Sequence, residues 1–385
     1  MPEIVDSNYS GVYKRARDLY NDKRYKEAVK MFEAVVENDR TNYKACFYLA
    51  ECLFEGKGTI KDFKRAFDLY FIAAQNKETE AAYKLGLCYL DGLGTRQDFT
   101  QAVAWFTEAA KYSHTMSQYY LGLAYMEGKG ITKDIPRAIQ WFVYAAKEGI
   151  VDAQKNAAIC LKMLNHHREA ATLFLAAARN GDVYSMECIA DYYENGEHIN
   201  KCDELANKFY EEAANKNNHM AQNKLAYRYY YGNGIEKSVN KAVYWWMKAA
   251  SAEVVDAQNR LGLCYYNGDG IQKDSNQAAI WWKKAANSGN VDSMINLAQG
   301  YLDDSLKHGG DAYESKYWWT KAAETGNSYA MYKVGVCFEY AVGITTPNIP
   351  EAYRWYKLSA ENGYEPAKNE LKNFKLVKGK IKKVN

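Results

Sequence analysis

The sequence predicts an all-α fold, a right-handed α-α superhelical solenoid of stacked antiparallel helix pairs, and three observations predict it. Ala-Ala pairs recur at 73–74, 109–110, 145–146, 177–178, 213–214, 249–250, 285–286 and 322–323, with Ser359-Ala360 as a ninth, degenerate copy. Upstream of each pair a second ladder of small residues keeps the same spacing: Ala50, Gly86, Gly122, Ala158, Ala190, Ala226, Gly262, Ala298 and Gly335. Between the two ladders a glycine turn repeats as Gly56-x-Gly58, Gly92-x-Gly94, Gly128-x-Gly130, Gly232-x-Gly234 and Gly268-x-Gly270. The steps between Ala-Ala pairs are 36, 36, 32, 36, 36, 36, 37 and 37 residues, a period that belongs to repeated two-helix units.

Taken in chain order, residues 1–42 come first, and within them 9–42 read as one helical hairpin with Ala16, Leu19, Tyr20, Tyr25, Ala28 and Phe32 on its apolar faces. Residues 43–364 hold nine repeat units, of which 79–114 is representative. Its first helix carries Ala82, Leu85, Gly86 and Tyr89 on one face, and its second carries Ala102, Trp105, Ala109 and Ala110 on one face. Gly92 and Gly94 end the first helix, because glycine accepts the left-handed backbone of a C-cap. Asp98 then caps the second through its carboxylate, and Asp62, Asp134, Ser238 and Asp274 repeat that role. Aromatic pairs such as Trp105-Phe106, Trp141-Phe142, Trp245-Trp246, Trp281-Trp282 and Trp318-Trp319 recur on the second helix and are expected to pack between hairpins. The unit at 151–182 is four residues short and lacks the glycine pair, and His198 replaces the second glycine of the next unit. Residues 365–385 are expected to form a C-terminal capping helix over 365–378, with Ala367, Leu371 and Phe374 on one face, and a Lys-rich tail.

Composition restricts the function classes. The chain is 48% apolar and 25% charged, enough to build a core and keep it soluble. No apolar run is long enough to span a bilayer and no apolar leader precedes residue 30, so the cytoplasm is the expected location. Five cysteines, Cys52, Cys88, Cys160, Cys264 and Cys337, fall two residues after the small residue of their repeat. Equivalent helices pack roughly 8–10 Å apart, too far for a disulfide, which needs Cα atoms within about 7 Å. They therefore read as small buried hydrophobes. No nucleophile elbow, P-loop, zinc-protease helix or kinase signature is present, and each G-x-G lies between helices without the strand of a dinucleotide fold. His166-His167 near Cys160 lacks the four-ligand spacing of structural zinc. No enzyme activity, cofactor, metal or small-molecule substrate is expected, and Asn8-Tyr9-Ser10, a formal glycosylation sequon, is expected to be silent.

The unit A-x-x-x-L-G-x-x-Y-x-x-G-x-G, a capping Asp, then A-x-x-W-x-x-x-A-A resembles the Sel-one-like repeat (SLR) family, a longer-turn relative of the tetratricopeptide repeat. The leading hairpin is closer to a tetratricopeptide unit. The resemblance implies a protein-protein interaction scaffold or adaptor whose first helices line a concave groove. Some cysteine-rich members are linked to β-lactam binding, but the regular cysteine pairs of that branch are absent. Counting three before, one after and one turn beyond each small residue, the groove is expected to present Tyr83, Tyr119, Glu187, Asp191, Glu194, Asn223, Tyr227, Tyr230, Asn259, Tyr266 and Tyr332, together with Leu87, Leu90, Leu123, Met126, Leu263, Val336 and Glu339. Glu187, Asp191 and Glu194 fall at i, i+4 and i+7, which suits a protein or peptide segment bearing a basic anchor. An alternative places function in the tail: residues 368–385 hold seven Lys against Glu370 alone, which would suit an assembly factor tethered to an anionic membrane or nucleic acid.

Overall fold

The computed structural model describes residues 6–196, 198–303, 306, 311–377 and 380–383. The chain divides into two compact units, Met1–Ser185 and Met186–Asn385, a boundary next to the short repeat. The first holds the pairs α1 (Asp6–Asn21) with α2 (Tyr25–Asn38), α3 (Tyr43–Glu55) with α4 (Phe63–Gln75), α5 (Thr79–Asp91) with α6 (Phe99–Ala110), α7 (Thr115–Glu127) with α8 (Ile135–Lys147), and α9 (Val151–Met163) with α10 (His167–Arg179). The second holds most of α11 (Val183–Asn195), whose first turn precedes the boundary, with α12 (Asp203–Asn215), then α13 (His219–Tyr231) with α14 (Val239–Ser251), α15 (Val255–Asn267) with α16 (Ser275–Asn287), α17 (Val291–Leu302) with α18 (Ala312–Glu324), and α19 (Ser328–Glu339) with α20 (Ile349–Glu361). Then come α21 (Glu365–Leu371) and the antiparallel strands β1 (Phe374–Val377) and β2 (Lys380–Lys383). Stacked helix pairs are thus the architecture of each unit.

The turn residues act at separate places. Asp98 accepts the backbone N–H groups of Thr100 and Gln101, and Asp62, Asp134, Ser238 and Asp274 cap in the same way. Gly92 is the left-handed C-cap of α5, φ 72°. Gly94 does something the spacing alone did not disclose: a Cβ there would lie 2.1 Å from the carbonyl oxygen of Phe63, at the start of the preceding repeat's second helix. The second glycine therefore lets one repeat's turn rest on the backbone of the repeat before it, as Gly58 does on Tyr25 and Gly270 on Val239. Where His198 replaces it, the backbone still takes φ 69°.

The small-residue ladder is explained by rings. A Cβ on Gly86, Gly122 or Gly262 would sit 2.5 Å from the ring of Phe106, Phe142 or Trp282 respectively, and one on Gly335 would sit 2.7 Å from Tyr356. The second member of each aromatic pair thus packs inside its own hairpin, not between hairpins as expected from sequence. Between hairpins stands the first member, as where Trp105 meets Phe71 edge-on at 5.8 Å. The five in-register cysteines are buried and all eight are free.

A polar motif is superimposed on this core. Tyr70 donates to Glu51 at 2.5 Å, and Lys84 of the next repeat pairs with the same carboxylate at 3.1 Å. Tyr210, Asp191 and Lys224 repeat the arrangement. At the C-terminal end Tyr356 donates to buried Glu339 at 2.8 Å, but the lysine is Lys383 of β2, which also holds Glu370 at 2.8 Å. The tail thereby corrects the sequence reading. The helix stops at Leu371, and β1 pairs antiparallel with β2, which lies on α20, with Phe374 buried against Tyr353 and Tyr356. Phe374-Lys375-Leu376 and Ile381-Lys382 alternate apolar and basic, the period of a half-buried strand and not of a helix. Lys375 and Lys382 are exposed, whereas Lys378 lies outside the described residues.

Candidate functional site

The residues expected to line a groove fall into two groups. In the first unit, Tyr83 is half-buried among Phe106, His114 and Tyr120, and Tyr119 packs on Phe142 with its hydroxyl 3.5 Å from Asn156. In the second, most of the polar members bond to the next repeat. Asn218 donates to Glu187 at 2.9 Å. Buried Asn223 donates to Asp256 at 2.9 Å, and Tyr227 donates to that carboxylate while accepting from Arg260 Nε at 2.6 Å. Asn259 accepts from Ser293 at 2.9 Å. Tyr230 and Tyr266 lie against Trp246 and Trp282, and Tyr332 against Tyr356 and Tyr364. Much of the surface expected to meet a partner is thus already used to hold first helices together.

Two of the three acids are paired with cations, and Glu187 accepts from the Asn218 amide. Asp191 takes Tyr210 and Lys224, and Glu194 takes Tyr210 at 2.7 Å and Arg228 at 2.7 Å. Arg228 is 1% exposed. It also donates to Asp203 at 2.6 Å and to Asn207, and its guanidinium lies over the Tyr210 ring. Hydrogen bonding to Arg228 holds the Asp203 carboxyl below its ordinary value. Sequence reasoning passed over Arg228, yet a signal existed: it occupies the slot two residues after the small residue where five other repeats carry cysteine. An arginine in a buried register requires acids around it.

Two clefts in the first unit share α6. One, of about 270 Å³, is bounded by the α4–α5 turn and α6 and lined by Lys77, Glu78, Trp105, Glu108 and Tyr112 among others. Burial raises the Glu78 carboxyl above its ordinary value against the opposing effect of Lys44, and Tyr112 is 56% exposed. The other, of about 210 Å³, lies between α5, α6 and α7 and is mainly apolar, with Leu90, Phe99, Phe106, Tyr120 and Leu123 in its wall and Glu127 and Lys129 at its edge. Leu90 and Leu123 belong to the expected groove face; Glu78, Trp105, Glu108 and Tyr112 do not. The latter were unforeseen because they come from a turn and a second helix, 34 residues apart from Glu78 to Tyr112.

Among the described residues no group of three or more His, Cys, Asp or Glu could hold a metal ion, and no helix is long and apolar enough to cross a membrane.

The Sel1 repeat model matches residues 44–77, 79–111, 115–150, 189–218, 219–254, 255–290, 291–327 and 328–364. Eight of the nine units read from the sequence are matched, and the unmatched one is the short, glycine-poor unit that forms α9 and α10. Among solved structures the chain is similar to c5321 of uropathogenic Escherichia coli, a protective antigen displaying an SLR fold, with 26% identity over 89% of this chain and 81% of that one and a TM-score of 0.60. It is also similar to a Sel1 repeat protein from Oxalobacter formigenes, at 24% identity over 89% of each chain with a TM-score of 0.43. An immunity protein of Pseudomonas aeruginosa, Pa5087, matches at 14% identity over 57% of this chain and 84% of that one, with a TM-score of 0.31. No curated protein matches the sequence.

Proposed function

The chain belongs to the Sel1 repeat family, whose solenoids generally serve as protein-interaction scaffolds, and from that premise we propose that it holds a segment of a partner protein against its first helices and catalyses no reaction. The observation that carries this reading is the apolar cleft between α5, α6 and α7, which is walled in part by Leu90 and Leu123 of the expected groove face. A cleft of this size accepts one or two aliphatic or aromatic side chains, and buried anchors of that kind carry most of an interface's energy. Glu187, Asp191 and Glu194 already hold Asn218, Lys224 and Arg228, so a basic anchor on the same segment has a better receiver in the cleft beside Trp105. There an indole, a phenol and two carboxylates face a common space with Lys77, and the rings and the second carboxylate suit an ammonium or guanidinium group.

The test places a photo-crosslinking residue at Leu123 in the full chain and maps the crosslinked peptide of the captured partner. The expected peptide carries an apolar side chain at the crosslink and Lys or Arg nearby, and its capture is lost with Leu90→Glu plus Leu123→Glu placed beside a crosslinker at Tyr120. Capture that survives this pair, or crosslinks scattered over unrelated peptides, would reject the cleft as the docking place.

A further inference from the structure

The outward faces of the second helices in the second unit differ sharply in charge. On the outward side of α12 three carboxylates, Glu204, Glu211 and Glu212, stand against Lys208, the helix's fourth, Asp203, being turned inward to Arg228. On α14 there are Lys241 and Lys248 and no acid, and on α16 Lys283 and Lys284 and no acid. Between the acidic and the basic helix, α14 leaves Tyr244 51% and Met247 41% exposed, and α16 adds Ile280 at 46%. The Lys248 ammonium is drawn back over the rings of Tyr244 and Trp245, at 4.8 and 5.0 Å from their centroids.

We propose that this face is a self-association surface, occupied by the same face of a second copy of this chain about a two-fold axis running along α14. The chain itself supplies both halves of the complement. The three helices belong to consecutive repeats, so such an axis lays Tyr244 and Met247 against their own counterparts and sets α12 of each copy against α16 of the other. Repeat register then puts like levels together: Glu211 and Glu212 stand two and one residues before Ala213, as Lys283 and Lys284 stand two and one residues before Ala285. Each acidic pair meets a basic pair twice over, as an isologous contact requires. Apolar contact at the centre with opposite charges at the flanks is the ordinary anatomy of an interface. The surface is separate from the clefts on α6, and this inference does not depend on what they bind.

Sedimentation equilibrium of the full chain tests it. The intact chain is expected to dimerise in the micromolar range, more weakly as salt rises. Tyr244→Ala, the pair Lys283→Glu with Lys284→Glu, and the pair Glu211→Lys with Glu212→Lys should each weaken the dimer about tenfold or more, with circular dichroism showing each still folded. Mixing the two charge-reversed pairs should restore a dimer composed of one of each, since all-acidic flanks then face all-basic ones. A chain that stays monomeric overturns the proposal, and so does a dimer indifferent to these substitutions. Retention on vesicles of phosphatidylserine without self-association would overturn it as well, assigning the lysines to a membrane.

Discussion

Cys88 in α5 and Arg228 in α13 occupy one slot in two repeats, and the two regions fill it by opposite means. Around Cys88 the slot is closed by apolar contact and burial pushes the thiol up to about 12. Around Arg228 it holds a full charge, balanced by Glu194 and Asp203 and hydrogen-bonded to Asn207. Both repeats nevertheless keep a first helix of 13 residues, the same left-handed C-cap glycine and an aromatic ring on the small residue or its first helix. The hairpin is therefore specified by its turn and its ring contact, and the slot is free to vary as long as its contents are compensated.

The largest effect expected on this contrast is that of Arg228→Ala. Breaking a buried pair strands its partners, and since the Glu194 and Asp203 side chains are 33% and 35% exposed, the cost belongs at the low end, about 3 kcal/mol. Cys88→Ala removes one small buried group and should cost about 1 kcal/mol. Equal shifts in urea midpoint for the two variants would remove the distinction. Next comes the shared element: Gly86→Ala forces a Cβ into the Phe106 ring and should cost about 1–3 kcal/mol, part of it recovered by Phe106→Leu. Gly149→Ala meets no atom within 4 Å and pays only for its positive φ, so it serves as the backbone control.

A smaller effect concerns pH. A carboxyl held below its ordinary value contributes stability above that value and loses it as pH falls. Asp203, depressed from 3.8 by Arg228, should therefore make the second unit lose stability as pH drops below about 4, and Asp203→Asn should flatten that slope in acid melts. Smallest is a reactivity difference: with its thiol near 12, Cys88 is ionised to only about one part in ten thousand at pH 8. Mass spectrometry after brief iodoacetamide treatment should find partly exposed Cys202 modified and Cys88 untouched; the reverse order would show that the Cys88 slot opens.

The repeat, its caps and the buried cysteines were legible in the sequence because each depends on contacts within one period, where spacing alone fixes the face. Gly94 was read as a helix terminator, and its second duty toward Phe63 was hidden because it concerns the preceding repeat's backbone. The same limit applied to the candidate site. Register correctly brings Asn223 and Tyr227 to one side of α13, but not that Asp256, 33 and 29 residues on, would engage their polar groups. At the C-terminus the excess of lysine obscured a short alternation, and a strand was read as the end of a helix.

The paired strands β1 and β2 also determine where a further repeat can stack. Glu51 and Asp191 each receive a lysine 33 residues ahead, from the repeat that follows. The equivalent of that lysine for Glu339 is Lys372, which turns instead to Asn369, while Lys383 reaches back into the vacancy. The last repeat is therefore quenched by its own tail, like a polymer whose living end has been capped. A duplicated unit can be spliced between internal repeats, where each glycine turn finds a backbone to rest on, but one appended after Lys383 would find its docking face already taken.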